Sequence, residues 1–220
     1  MEAKWLRLPY EFSGLFYRKA KCRRALDIRE IGCQLEKPDL IVIMMNPGSS
    51  YPINKGKEPF KIEQAVFQPT YPDTTQWQVI EFMRAECLKK VSKKKIYKYA
   101  RVLNLSDLCN PRSEKLNKDE IEGNSIFQLD QKAVLNVWVE QSADILLAYG
   151  ANRKFEGLAN KALHFLKDNG KTKVYGYRKK EDSWEFYHPL MHSNKNNKRW
   201  VDEVRQVTLK TVSSLNGPNT

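Results

Sequence analysis

A short apolar segment that ends in an Asn-Pro-Gly turn places the strongest constraint on the fold of this chain. Residues 40–45 form an unbroken apolar run with a β-branched centre, and Asn46, Pro47 and Gly48 close it. Such a run predicts a strand that is buried on both faces. A polar residue directly after a buried parallel strand lies where open α/β sheets bind ligands. Taken alone, however, the segment is more often a plain strand followed by a turn.

Strands and helices alternate along the rest of the chain. We predict strands at 40–45, 100–105, 144–149 and 173–177, and each is followed later in the chain by apolar residues at helical spacing. This alternation predicts a parallel sheet with helices on both faces. The predicted fold class is therefore α/β: a three-layer α/β/α sandwich around a central, mainly parallel, four-stranded sheet.

The segments between these elements are interpreted from their turn residues. Asp73-Thr74-Thr75 is a typical N-cap for the first helix. Residues 49–72 contain four prolines and are predicted to form a long ordered loop. Residues 1–38 are compatible with a strand or a short helix and are interpreted as an extension packed on the domain. Residues 216–220 are expected to be a frayed tail, so the chain, 1–220, is predicted to be one domain.

Composition limits the class of protein and the kind of partner. No apolar run approaches the ~20 residues of a membrane-spanning helix, and the first residues lack a signal-peptide core. We therefore expect a soluble, cytoplasmic monomer. The net charge of +12, from 38 Lys and Arg against 26 Asp and Glu, favours a polyanionic partner, most simply DNA.

The four cysteines give no metal-binding pattern. Cys22, Cys33, Cys87 and Cys109 are scattered, and no Cys-x-x-Cys pair occurs among them. In a cytosolic chain such residues are expected to be reduced thiols. We therefore expect neither a metal nor another cofactor.

Three polar residues are predicted to meet at one edge of the sheet. Asn46 follows the first predicted strand, Asn104 lies near the end of the second, and His188 comes after the last. Each has a structural alternative, since an Asn can cap a helix or bond buried backbone and a lone His is more often a core residue. Their shared position at the ligand-binding edge favours a functional site.

These residues carry a resemblance to the uracil-DNA glycosylase superfamily. Met-Met-Asn-Pro-Gly, ending at Gly48, resembles the first motif in the Gly-x-Asn-Pro-Gly form of the mismatch-specific and single-strand-selective branches. Residues 188–193, His-Pro-Leu-Met-His-Ser, resemble the second motif, and residues 102–105 resemble the strand that presents the base-reading Asn. The resemblance covers residues 39–205. The chain is also similar to an uncharacterised bacterial family with an Asn-Pro strand end, an Asp-x-Thr before a helix and a late His-Pro-Leu.

The chain departs from the superfamily pattern in several places. Met44 replaces the glycine that opens the first motif, and residues 190–192 are Leu-Met-His where Ser-Pro is common. Some branches hold an iron–sulfur cluster, and Cys109 resembles one of its ligands. Cys22 and Cys33 are too widely spaced to match the usual pair, so no cluster is expected.

The resemblance implies a DNA glycosylase that excises a flipped-out base. His188 would stabilise negative charge on the leaving base, and Asn46 would hold the attacking water, since an amide is not a base near neutral pH. Asn104 would read the base edge. Phe60 would stack on the base, with Tyr51 and Phe67 as alternatives.

The resemblance also implies contacts to the DNA backbone. Leu190 and Met191 would enter the gap that the flipped base leaves. Ser193, Lys195, Lys198 and Arg199 would follow along the phosphates, and the lysine-rich segment 89–98 is either a second phosphate contact or a solvated helix end.

The substrate is left open between two classes. Gly48 stands where uracil-specific members carry a tyrosine, which leaves room for a bulky C5 group, and Tyr51, Asn54 and Lys55 could line that room. One hypothesis is a hydroxymethylated or glucosylated cytosine of phage DNA, which would make the protein an antiviral defence enzyme. The other is uracil or mismatched thymine.

The function also has alternatives. A non-catalytic module that binds a nucleic acid or nucleotide is the alternative function, and an enzyme with a nucleoside or RNA substrate is a third.

Overall fold

The computed structural model describes residues 9–54, 56, 59–84, 96–128, 132–140, 142–170, 173–181, 183–190 and 200–209. The strands, β1 to β9 in chain order, are Tyr10–Tyr17, Cys22–Glu30, Leu40–Met44, Tyr51–Pro52, Phe67–Tyr71, Tyr99–Asn104, Asp144–Leu147, Val174–Gly176 and Arg205–Gln206. The α-helices, α1 to α5, are Thr74–Arg84, Lys118–Gly123, Lys132–Trp138, Glu156–Asp168 and Trp200–Glu203.

The described strands form one mixed sheet of nine, in the order β4-β5-β1-β2-β6-β3-β7-β8-β9. The four strands predicted from the sequence, β3, β6, β7 and β8, pair with one another in parallel. The remaining pairings are antiparallel, which makes five of the eight pairings in the sheet antiparallel. The prediction of a sandwich built on a four-stranded, mainly parallel sheet is therefore wrong.

The antiparallel half comes from two segments whose structure the sequence left undefined. β1 and β2 lie within residues 1–38 and form a long hairpin that pairs with β6. β4 and β5 lie within residues 49–72, so the loop predicted there is interrupted by a short hairpin. These strands add the antiparallel pairings on one side of the parallel strands.

Buried charges explain why the sequence of β2 did not predict a strand. Asp27 is 4% exposed, and it accepts hydrogen bonds of 2.7 and 2.8 Å from Arg101 and one of 2.5 Å from the Tyr99 hydroxyl. Arg24 pairs with Asp107 at 2.6 Å. Charged residues that are buried in pairs interrupt the alternation of apolar and polar residues by which a strand is recognised.

The core lies on both faces of the sheet, and β3 shows the division most clearly. Ile41 and Ile43 belong to the cluster that packs against α4, whereas Leu40, Val42 and Met44 belong to the cluster that includes side chains of α1. Successive side chains of a strand point to opposite faces. A strand covered on both faces therefore needs the unbroken apolar run found in the sequence.

The helices agree with the sequence at their starts more than at their ends. Asp73 caps α1 as predicted, and α4 ends at Asp168, before Gly170 with φ +63°. The spacing of Trp200, Val204, Val207 and Thr211 predicts a final helix, but the structure has one turn, Trp200–Glu203, which is followed by β9. Residues 85–95 and 210–220 lie outside the described residues, together with the predictions made for them. Among the helices that the structure describes, none has both the length and the apolar composition that a membrane crossing requires.

Candidate functional site

The candidate site is a cleft at the edge of the sheet where the parallel strands end. β3 ends at Met44, β6 at Asn104 and β7 at Leu147, and parallel strands bring their carboxyl ends to the same edge. Met44 is in register with Asn104. The cleft has a volume of about 470 Å³, within the range of roughly 300–1,000 Å³ typical of small-molecule sites. Its position is the one at which open sheets bind ligands.

Asn46 lines the cleft with its side-chain nitrogen held by backbone. Its Nδ2 donates to the carbonyl oxygens of Asn110 at 2.7 Å, Pro47 at 3.0 Å and Leu108 at 3.3 Å. Three carbonyl oxygens around one end of the amide identify that end as the nitrogen. The side chain therefore presents its Oδ1 as an acceptor, which can hold a water or a ligand donor but cannot take a proton near neutral pH.

Asn104 lines the same cleft and is 1% exposed. Neither its Oδ1 nor its Nδ2 has a hydrogen-bond partner among the residues that the structure describes. Buried amides are nearly always paired, because burying one without a partner costs about 1–3 kcal/mol. A donor and an acceptor without a partner among the described residues thus lie at the cleft wall.

His188 comes to the cleft from the segment that follows β8. The backbone N–H of Leu190 donates to its Nδ1 at 3.2 Å, so in the neutral ring the proton is on Nε2, which is a donor. Gly150, with φ +81°, lies close behind: a Cβ added there would be 3.7 Å from the Cβ of His188 and 2.9 Å from the Cε of Met45. The positive φ favours glycine at this position after β7, and a Cβ there would also displace the end of the Met45 side chain.

Asp73 adds a carboxylate to the cleft through the cap of α1. Its Oδ1 accepts from the N–H of Thr75 at 2.8 Å, and its own N–H donates to the Oε1 of Gln76 at 2.5 Å. This reciprocal capping box fixes the carboxylate. A Cβ added at Gly48 would lie 2.8 Å from Asp73 Oδ2, so the missing side chain at 48 makes room for this carboxylate. The space predicted for a C5 substituent is therefore partly taken by Asp73.

Arg23 supplies a buried positive charge at the cleft wall. Its side chain is 1% exposed, and Nη1 donates to the hydroxyl of Ser50 at 2.6 Å. Nε has no acceptor within the described part of the chain. Burial lowers the pKa of the guanidinium, while its electrostatic interactions with Cys109, Asp73 and Asp107 act in the opposite direction. Arginine nevertheless keeps its proton in proteins.

The structure brings together some of the predicted site residues and separates others. Asn46, Asn104, His188, Gly48 and Leu190 line one cleft. The aromatic candidates lie elsewhere: Phe60 is 66% exposed and lines a second cavity, Tyr51 packs on Tyr71, and Phe67 lies against Arg101.

The described part of the cleft lining provides no Phe, Tyr or Trp ring for stacking on a base. Its apolar surface comes from Met44, Met45, Pro111, Ala151 and Leu190. Met191, Ser193, Lys195, Lys198 and Arg199 lie outside the described residues, so their predicted contacts with DNA remain predictions.

Sequence reasoning missed Asp73 and Arg23 as site residues. Asp73 was interpreted only as a helix cap, although the Asp-x-Thr pattern could have marked it. Arg23 lies in the basic segment 18–24, which gives no sign that one of its side chains is buried. Within the described residues, no three His, Cys, Asp or Glu side chains lie together as metal ligands would.

A family model described as "Protein of unknown function (DUF1643)" matches residues 61–190. This match covers more than half of the chain, and the chain belongs to that family. The matched segment includes Asp73, Asn104 and His188, whereas Arg23 and Asn46 precede it. No curated protein and no solved structure matches the chain.

Proposed function

We propose that this protein hydrolyses the N-glycosidic bond of a flipped-out pyrimidine in DNA and leaves an abasic site. The observation that carries the proposal is the buried amide of Asn104, whose donor and acceptor at the cleft wall have no partner among the described residues. Pyrimidine bases offer a matching edge with neighbouring acceptor and donor groups. Such an edge reaches a pocket of this kind only after the base has left the helix stack.

Asn46 and Asp73 hold and activate the attacking water. The Nδ2 of Asn46 is fixed by backbone carbonyls, so its Oδ1 accepts one hydrogen of the water. The Asp73 carboxylate, fixed by the cap of α1, accepts the other proton as the bond from oxygen to C1′ forms. A carboxylate is the stronger base of the two, and positioned general bases typically contribute about 10²–10⁴-fold to rate.

His188 stabilises the leaving base. As the bond between C1′ and the ring nitrogen breaks, its electron pair stays with the base and negative charge grows on the base oxygen. The Nε2–H of His188 donates to that oxygen, an arrangement supported by the hydrogen bond that Leu190 makes to Nδ1. Removing one fixed donor of this type costs about 3 kcal/mol in the transition state, or roughly 100-fold in rate.

Leu190 and the basic residues that follow it would support the distorted DNA. Leu190 lies in the cleft lining, at the position of the predicted apolar wedge. The net charge of +12 favours binding to the phosphate backbone and predicts an affinity that falls steeply with salt.

A base-excision assay tests the proposal. Purified protein is incubated with labelled single- and double-stranded oligonucleotides that contain uracil, mismatched thymine, or hydroxymethylated or glucosylated cytosine, and abasic sites are revealed by alkaline strand cleavage. We expect cleavage of at least one substrate, reduced about 100-fold in His188→Ala. The substrate that is cut fastest decides between a repair enzyme and a defence enzyme.

Two results would contradict the proposal. Tight binding across this panel with no abasic sites would favour the non-catalytic module. Cleavage that is equal in wild type and His188→Ala would assign the activity to other residues or to a contaminant.

A further inference from the structure

A second cavity lies beside the cleft and has a different chemical character. Its volume is about 550 Å³, and three exposed cations, Arg18, Lys19 and Lys21, line it together with Phe60. Glu120 is the carboxylate among the described lining residues. Phe60 is 66% exposed, so its ring is accessible to a ligand in this cavity. Exposed cations beside an exposed aromatic ring are typical of surfaces that bind single-stranded nucleic acid.

Three hydrogen bonds hold the turn that carries the cations. The N–H of Arg18 donates to the carbonyl oxygen of Phe60 at 3.2 Å, which couples the turn to the aromatic residue. Arg18 Nη1 donates to Asn124 Oδ1 at 2.6 Å, and the carbonyl oxygen of Lys21 accepts from the N–H of Cys109 at 2.9 Å. The backbone that carries the cations is therefore fixed relative to the backbone of Phe60.

The backbone of this turn is strained. Arg18, Lys19 and Ala20 have φ values of +51°, +53° and +60°, in the left-handed region that favours glycine. Strained backbone is concentrated at ligand-binding sites, where side-chain identity matters more than local stability. Arg18 and Lys19 thus occupy positions at which glycine would be less strained.

Residues 108–110 contribute to the walls of both cavities. Leu108 lines the second cavity and Asn110 lines the cleft, and the carbonyl oxygens of both accept from the same atom, Asn46 Nδ2. The two cavities are therefore neighbours along residues 108–110.

We propose that the second cavity is a binding groove for the single-stranded DNA that flanks the flipped nucleotide, in which Phe60 stacks on a base and Lys19 and Lys21 contact phosphates. The assignment of DNA as the occupant rests on the proposed function. The chemistry of the groove, three cations and an aromatic ring, does not depend on whether the cleft cuts or only binds a base.

Fluorescence anisotropy with a labelled single-stranded DNA 12-mer tests the groove. Phe60→Ala should weaken binding at least about fivefold, because stacking on one base is worth roughly 1–3 kcal/mol, or about 5- to 150-fold. Lys19→Ala/Lys21→Ala should lower the slope of log affinity against log salt by about 1.4, since each phosphate contact contributes about 0.7 for single strands.

A double variant at the opposite edge of the sheet is the matched control. Lys98 and Lys173 directly precede β6 and β8, at the amino ends of these parallel strands, and both are exposed. Lys98→Ala/Lys173→Ala removes the same amount of charge as Lys19→Ala/Lys21→Ala. Because these two lysines lie away from the groove, their loss should leave the salt slope nearly unchanged. An equal loss in both double variants would show that only overall charge matters and would overturn the groove.

Two glycine variants distinguish the effect of backbone strain on stability from the effect of side-chain charge on DNA binding. Ala20→Gly and Lys19→Gly both relieve a left-handed φ, so both should raise the melting temperature. Only Lys19→Gly should weaken DNA binding. If neither glycine variant raises the melting temperature, or if both bind DNA like wild type, the assignment of a strained, charge-bearing turn is wrong.

The outcomes for the groove and for the glycosylase are distinguishable. If Phe60→Ala weakens strand binding and no substrate is ever cut, the groove stands and the proposed catalysis fails. If a substrate is cut while Phe60→Ala and the double lysine variant bind single-stranded DNA like wild type, the groove is refuted and the catalysis stands. Tighter binding of an RNA 12-mer of the same sequence would overturn the assignment to DNA.

Discussion

Replacing Asn104 by leucine should stabilise the free protein and remove its function. Leucine has the same number and branching of heavy atoms as asparagine but no polar atoms. The amide of Asn104 is buried with both ends unpaired among the described residues, and the residue is 1% exposed. An apolar group of the same shape removes the cost of burying that amide and leaves no cavity.

The expected gain follows from the cost of an unpaired buried amide, about 1–3 kcal/mol in protein mutational data. For a chain of this length each kcal/mol corresponds to roughly 2–4 °C in melting temperature. Asn104→Leu should therefore melt at least about 2 °C above wild type, with a higher urea midpoint and an unchanged m-value. Excision, or binding of a base, should be lost, because leucine offers neither donor nor acceptor.

Asn46→Leu is the matched control and should have the opposite effect on stability. The same substitution is made at the end of the neighbouring strand, but the amide of Asn46 donates to the carbonyl oxygens of Pro47, Leu108 and Asn110. Its loss leaves these oxygens without that donor and should cost about 1–3 kcal/mol.

A melting temperature for Asn104→Leu below that of wild type would refute the reasoning. Such a result would mean that the amide of Asn104 makes hydrogen bonds in the free protein, for example to an ordered water. Base recognition would then require that partner to be displaced, and Asn104 would no longer carry the functional argument.

Three further predictions concern Asp73, Asp107 and Gly150. Asp73→Asn keeps a good N-cap, so stability should change by less than about 0.5 kcal/mol while excision falls about 100-fold or more; equal excision would remove Asp73 from the mechanism. Burial raises the pKa of Asp107 to about 6, so the folded state favours its protonated form; the unfolding free energy should fall by about 2 kcal/mol as pH rises from 4 to 6.5, and Asp107→Asn should lack this fall in urea titrations. Gly150→Ala combines φ +81° with a Cβ 2.9 Å from Met45 Cε and should lower stability by about 1–2 kcal/mol; an unchanged melting temperature would contradict this.

The parallel strands and the edge that holds the candidate site could be predicted from the sequence. The apolar run at 40–45 has a β-branched centre and ends in turn residues, which are local properties of the chain. Because parallel strands share one carboxyl edge, the positions of Asn46 and Asn104 at strand ends were enough to predict that they meet. His188 reaches the same edge through the segment after β8.

Only the tertiary structure decided the rest of the sheet and the full composition of the cleft. β2 is a buried strand because Arg101 and Asp107 come from distant segments to pair with Asp27 and Arg24. Asp73 lies in the cleft because α1 begins next to Gly48, which belongs to another loop. Phe60 lies outside the cleft because its carbonyl oxygen accepts a hydrogen bond from the turn at Arg18. The sequence by itself determined which segments become buried strands, since that depends on local apolar pattern. Which polar side chains share a site was decided by the tertiary structure, since that depends on partners far away in the chain.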